Sequence, residues 1–222
     1  VITVSNLTKN IVVNRYKIDE SKVFTVHNAV EFDLDFNNKR WHKSVNEKVV
    51  TFLGRVTFQK GPDYFVEAAR IVLSKYPHVR FVMAGSGDML NRMIRRVAQL
   101  KMADKFHFTG FLKGNDVDRM FLQSDVYVMP SVSEPFGISP LEAMRAHVPV
   151  IISKQSGVAE VLKHAIKVNF WDVDALADSI YGLLNYNGLS SMFRRLGEEE
   201  VLGLKWENAA AMVKNIYNSL LE

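Results

Sequence analysis

The chain has 222 residues, 48% hydrophobic and 23% charged, with a net charge of +4 and no cysteine. That is the composition of a globular protein long enough to bury a real core; it excludes disulfides and thiolate metal sites and fits a reducing, cytoplasmic setting. The basic excess is scattered, which argues for no nucleic acid partner, and no apolar run reaches the roughly 20 residues of a membrane span.

Val1 to Ser5 alternates like a strand cut from mid-protein, so the chain reads as a fragment. Asn6 to Tyr16 places Leu7, Ile11 and Val12 at helical spacing, and Lys22 to His27 reads as a strand. The polar stretch 33–48 has little periodicity and reads as a linker or surface loop. From Val49 the pattern alternates strand and helix. Expected strands are Val49–Leu53, Phe81–Ala84, Lys105–Thr109, Val126–Met129, Val148–Ile152 and Ile166–Val168. Expected helices are Pro62–Lys75, Met89–Leu100, Val117–Gln123, a short one after Pro140, and Val158–Lys163. From about Val173 the tail is helical, broken at Asn187-Gly188 and Gly203; Trp206 and Tyr217 on its last helix read as packing residues. Continuous apolar strands alternating with helices predict an α/β fold, a Rossmann-like doubly wound parallel sheet. The expected divisions are 1–32, the linker 33–48, a main domain 49–204 and a closing helix 205–222.

Three strand-to-helix turns carry residues with chemistry. Gly54-Arg55 follows the first core strand and Lys60-Gly61 precedes its helix. Two cations there can hold a pyrophosphate, or can be solvated surface charges beside a glycine turn. Gly85-Ser86-Gly87-Asp88 is a partial dinucleotide fingerprint without its third glycine, and Asp88 reads more simply as a helix cap. The third turn, Ser131 to Glu142, sets two carboxylates around a strand-to-helix bend. Glu142 fits a capping box with Ser139 as N-cap and Pro140 in the first turn, a sufficient structural reason for it to be there. Glu134 lies outside that helix, before Phe136-Gly137, and a carboxylate so placed can accept hydrogen bonds from sugar hydroxyls. The six histidines show no ligand spacing, and no metal site is expected.

Glu134-Pro135-Phe136-Gly137 followed by Glu142 resembles the E-x7-E motif of retaining GT-B glycosyltransferases, the group 1 or family 4 class. Gly54-Arg55 with Lys60-Gly61, Gly85 to Asp88, Phe108 to Phe111, Asp125 to Ser131 and Trp206-Glu207 fall in the family's order. The resemblance implies the C-terminal half of a GT-B fold, with residues 1–32 as the end of the N-terminal domain and the crossover. It implies that Arg55 and Lys60 bind the donor diphosphate and stabilise the departing nucleoside diphosphate, and that Glu134 contacts sugar hydroxyls. It puts the N–H groups of Phe136, Gly137 and Ile138 on sugar or phosphate oxygens, Glu142 on the ribose, Gly85 in the donor site and the base near Phe111, Leu112 and Lys113. The implied reaction moves a hexosyl group from a UDP- or ADP-sugar to an acceptor hydroxyl, without metal or cofactor. A likeness of this stretch to glycogen and starch synthases suggests a glucose donor. A saccharide or lipid-linked acceptor, and any peripheral attachment to a membrane, would come through the missing N-terminal domain, and this piece alone should not transfer sugar. The alternatives are a GT-B nucleotide-sugar epimerase, a non-catalytic nucleotide-binding module and half of a dinucleotide-dependent dehydrogenase.

Overall fold

The computed structural model describes residues 1–31, 43 and 45–220. A short parallel pair, β1 (Ile2–Thr3) and β2 (Phe24–Thr25), flanks α1 (Asn6–Tyr16). Most of the expected linker over 33–48 lies outside the described residues; Lys48 already belongs to the first core strand. The main domain then alternates β3 (Lys48–Leu53), α2 (Pro62–Lys75), β4 (Val79–Ala84), α3 (Leu90–Gln99), β5 (Phe106–Gly110), α4 (Asn115–Gln123), β6 (Val126–Met129), α5 (Ser139–Arg145), β7 (Val150–Ser153) and β8 (Ile166–Val168). Three helices close it, α6 (Val173–Asn185), α7 (Asn187–Val201) and α8 (Trp206–Asn218).

The six core strands are all parallel, in the order β5-β4-β3-β6-β7-β8. Connections run outward in opposite directions from β3 and β6, so the pair forms the topological switch point, where α/β sheets open a crevice at the strands' carboxyl ends. The switch-point ladder is thin. Only Val50↔Val126 and Thr51↔Tyr127 are in register, against six partners between β3 and β4. Asp125 reinforces its lower end by accepting the Val49 N–H at 2.8 Å and pairing with Lys43, Lys48 and Arg194. Burial pushes that carboxyl up, but the Lys43 and Val49 hydrogen bonds and the lysine charges outweigh it and hold it below the ordinary range.

Strand residues alternate between two cores. Phe52, Phe81 and Val126 face α2, α3 and α6 with Phe65, Met93 and Ile180; Tyr127, Met129 and Ile152 face α4, α5 and the end of α7 with Phe121, Leu141 and Val201. Each fully buried ring or branched chain contributes about 1.5–3 kcal/mol, which explains the near-continuous apolar strands.

The structure corrects four local expectations. Residues Gly157–Glu160 form a 3-10 turn, not a helix over 158–163. Asp88 does not cap α3, whose N-cap position is Met89 without a side-chain bond. Trp206 and Tyr217 are not packing residues: they are 44% and 61% exposed, and α8 buries no residue among those described. The capping box at α5 is absent. Ile138 holds the N-cap position, and Ser139, the first helical residue, points its hydroxyl elsewhere.

Candidate functional site

The loops after β3 and β6 meet above the switch point. The first runs through a 3-10 turn, Phe58–Lys60, into Gly61, the N-cap position of α2. A Cβ at Gly61 would lie 2.2 Å from the Pro130 carbonyl oxygen, at φ +66°, so only glycine lets the loops approach this closely. The Lys60 stem then lies along Gly54, and its ammonium pairs directly with the Glu134 carboxylate. Arg55, exposed, donates to Gln59 Oε1 at 3.2 Å; Gln59 Nε2 donates to the Ser133 carbonyl at 2.9 Å, and the Val132 N–H to the Gln59 carbonyl at 2.9 Å. The two loops therefore form one polar unit, with Arg55, Lys60 and Glu134 on it.

The turn that carries Glu134 is held from behind. The Glu134 N–H donates to the Gln155 carbonyl at 3.1 Å, while the Gly157 and Val158 N–H groups donate to the carbonyls of Glu134 and Phe136 at 2.9 Å each. Phe136 is buried at 2% exposure and anchors the turn in the core. Gly137 follows at φ +99°, and Ile138 is partly exposed. Among the described residues, the N–H groups of Phe136, Gly137, Ile138 and Ser139 have no intramolecular acceptor. Four amide donors beside Lys60 make a surface suited to oxygen-rich anions or hydroxyls.

Tyr127, fully buried on β6, joins the two halves. Its hydroxyl lies 2.7 Å from Ser139 Oγ and donates to the Leu53 carbonyl at 3.3 Å, tying the end of β3 to the start of α5. Burial pushes the phenol's pKa well up; the Ser139 hydrogen bond opposes this, and the Glu142 and Glu134 charges add to it. Both carboxylates thus act on this one hydroxyl.

Without a capping box, the Glu142 carboxylate has no hydrogen-bond partner among the described residues. Burial raises its pKa, Arg145 opposes the shift and Asp118 adds to it. A carboxyl with a raised folded-state pKa binds more protons in the folded chain, so its contribution to stability falls as pH rises through the interval between the unfolded and folded values. At pH 7 the charge is therefore an expense to the unliganded chain. Glu142→Gln is expected to raise the thermal midpoint at pH 7 and to lose that advantage below the ordinary glutamate pKa. Unfolding curves at pH 7 and pH 4 check this; an equal difference at both would refute it.

The third loop completes the crevice. A cleft of about 140 Å³ is lined by Leu53, Gly54, Arg55, Gly85, Ser86, Phe111 and Leu112. The Gly85 N–H bonds the Gly110 carbonyl at 2.8 Å and the Gly54 N–H bonds the Ala84 carbonyl at 3.0 Å, so the three strand ends are laced together. Phe111 stands 74% exposed at the mouth, a platform on which a planar ring can stack. Lys113 is exposed and does not line this cleft. Of the residues singled out in the sequence, the fold brings Arg55, Gly85, Phe111 and Leu112 to one cleft, and Lys60, Glu134, Phe136, Gly137, Ile138 and Glu142 to the adjoining turn. Sequence reasoning missed Gln59 and Tyr127. A phenol inside an otherwise apolar strand was the one available signal, since a buried hydroxyl needs a partner. Among the described residues no three His, Asp or Glu side chains group as a metal site, and no helix is long and apolar enough to cross a membrane.

The family model described as "Glycosyl transferases group 1" matches residues 34–200. An uncharacterized glycosyltransferase of Methanocaldococcus jannaschii is 32% identical over 240 residues, covering 100% of this chain and 60% of the relative. The chain spans about half to three fifths of the length of such curated relatives. Among solved structures, a glycosyltransferase from Rickettsia africae superimposes with a TM-score of 0.84 at 21% identity, covering 100% of this chain and 63% of the other. The Anabaena protein HepE, solved in complex with UDP-glucose, superimposes at 0.78 with 18% identity, over 96% of this chain and 63% of the other.

Proposed function

The chain belongs to the group 1 glycosyl transferases, and from that membership we propose that it is the donor-binding half of a retaining enzyme that moves a hexosyl group from a nucleoside-diphosphate sugar to an acceptor hydroxyl. The observation that carries this reading is the Lys60–Glu134 pair set across the switch point, with Arg55 and the free amides of residues 136–139 around it. An ammonium has three donors and a carboxylate several acceptor sites. One Lys60 donor meets Glu134 Oε2, which leaves others for diphosphate oxygens, while Glu134 Oε1 remains for a sugar hydroxyl.

The chemistry follows from where charge develops. Cleavage of the glycosyl C–O bond builds positive charge at the sugar and negative charge on the departing diphosphate. Arg55 and Lys60 stabilise the second, and the Glu134 carboxylate orients the sugar. Glu142, half-buried and without a hydrogen-bond partner among the described residues, takes the ribose hydroxyls, and the base stacks at Phe111 beside Gly85 and Leu112. Lys113, outside the cleft, has at most a peripheral contact. UDP is the favoured nucleotide, because a structural neighbour of this fold was solved with UDP-glucose; a glucose donor is the reading to test first. The acceptor, saccharide or lipid-linked, is met by the part of the enzyme outside this chain.

Titration calorimetry and thermal shift with UDP, ADP, UDP-glucose and ADP-glucose test the reading on this chain. A bound donor at 100 times its Kd stabilises the fold by about 2.7 kcal/mol. We expect a nucleotide and its sugar conjugate to bind and no transfer by this chain alone. Absence of all nucleotide binding, or binding that Arg55→Ala and Lys60→Ala leave unchanged, would overturn it.

A further inference from the structure

The segment of residues 1–31 does more than precede the main domain; it grips the turn that carries Glu134. Glu160, on the 3-10 turn Gly157–Glu160, accepts the Asn6 N–H through Oε2 at 2.8 Å and the Leu7 N–H through Oε1 at 2.6 Å. These are first-turn amides of α1, which otherwise have no intrahelical acceptor. His27, beyond β2, reaches the same Glu160 Oε2 at 3.3 Å, and its ring lies 6.0 Å from that of Phe136. Ser5, the N-cap of α1, donates from its hydroxyl to the Pro135 carbonyl at 2.6 Å. A Cβ at Gly157 would fall 2.2 Å from that same Pro135 oxygen and 2.5 Å from Ser5 Cβ. The Glu134–Phe136 turn is thus clamped between two pieces of backbone, the start of α1 at Ser5 and the 3-10 turn at Gly157.

We propose that Glu160 is a positioning residue: by holding the amino end of α1 it seats Ser5 on Pro135 and so fixes the sugar-facing turn from Glu134 to Ile138. Neither Glu160 nor Ser5 touches the donor. Each acts through the backbone that carries Glu134 and the free amides. The inference rests on the donor reading above only for its binding readout. Its physical consequence is selective. The nucleotide end is held by Arg55, Lys60, Gly85 and Phe111 on other loops and by Glu142 within α5, so loosening the clamp should remove most of the affinity added by the sugar and leave most of the affinity for the bare nucleotide. The groups facing Glu160 are the N–H groups of Asn6 and Leu7 and the His27 ring; Lys154 and Lys167 rim the adjoining 370 Å³ hollow with Leu7 and Asn10.

The test compares wild type, Glu160→Ala and Glu160→Gln by titration with UDP and with UDP-glucose, and by hydrogen exchange of the Glu134, Gly157 and Val158 amides, whose hydrogen bonds hold the turn. For Glu160→Ala we expect UDP-glucose to bind about tenfold more weakly, UDP to change less than about twofold, and exchange in the turn to accelerate about tenfold. Glu160→Gln keeps one acceptor oxygen and should recover part of each effect. A residue that merely stabilised the fold would weaken both ligands equally or neither, with turn exchange following global stability; that result overturns the proposal. If wild type binds no nucleotide, the functional reading falls, and the ligand-free exchange comparison still decides whether the clamp exists.

Discussion

Lys60→Ala is expected to weaken nucleoside-diphosphate binding about 10- to 100-fold, the range for losing a charge-assisted hydrogen bond. It should also destabilise the unliganded chain. Glu134 is 8% exposed, and Lys60 is its ion-pair partner; leaving it unpaired costs about 1–3 kcal/mol. The two effects come apart in a double variant. Lys60→Met with Glu134→Gln removes the stranded charge while keeping much of the packing, so stability should return and nucleotide affinity should not. Calorimetric titration and thermal unfolding of wild type and the two variants measure this. Recovery of affinity in the double variant would show that Lys60 acted only as a partner for Glu134.

Gly85→Ala is expected to be the most destabilising small substitution in the crevice. A Cβ there would sit 1.8 Å from the Gly54 carbonyl oxygen, at φ +136°. The obstructing atom is backbone and cannot rotate away, so overpacking and dihedral strain add, for about 3–5 kcal/mol. In a chain of this length that corresponds to a fall of about 10 °C in Tm. Gly188→Ala is the control: it lies in α7 with nothing within 4 Å of its would-be Cβ, and it should be neutral or mildly stabilising. A Gly85 variant as stable as the Gly188 variant would mean that the β3 and β4 loops need not approach so closely.

Most of the architecture was legible because it rests on periodicity and punctuation. Pro62 opens α2 where a first-turn proline belongs, Lys75 closes it, and Val126–Met129 and Ile166–Val168 fall where their apolar runs do. The candidate site was legible as a set of loops, because glycines and charges at strand ends are local signals. What escaped was every pairing between loops distant in sequence. The pattern Ser139-Pro140-Leu141-Glu142 satisfies a local capping rule, yet Ser139 turns to Tyr127, twelve residues earlier on a neighbouring strand. A buried phenol needing a partner outweighed a cap worth about 1 kcal/mol. That left Glu142 without the structural duty its spacing suggested and strengthens its assignment to a ligand. Likewise nothing local to Glu160 announces that its oxygens meet the amides of Asn6 and Leu7. Trp206 and Tyr217 were misjudged because aromatic spacing says which face is apolar, not whether this stretch of chain supplies something to cover it.

The thin ladder between β3 and β6 bears on how the molecule comes to exist. Residues of β3, β4 and β5 are close in sequence and can pair as a local unit, and so can those of β6, β7 and β8. Joining the two units means bringing Val50 to Val126, a long closure whose backbone ladder has only two register pairs beside the Asp125 clip, the rest coming from the core that Phe52 and Phe65 share with Val126 and Ile180. Non-local closures of this kind are slow steps, and domains of this size often pass through half-assembled states. Every residue proposed to hold the donor lies on one lip or the other of that junction. A nucleotide sugar that touches both lips would bind only the joined form and so hold the junction closed against local opening.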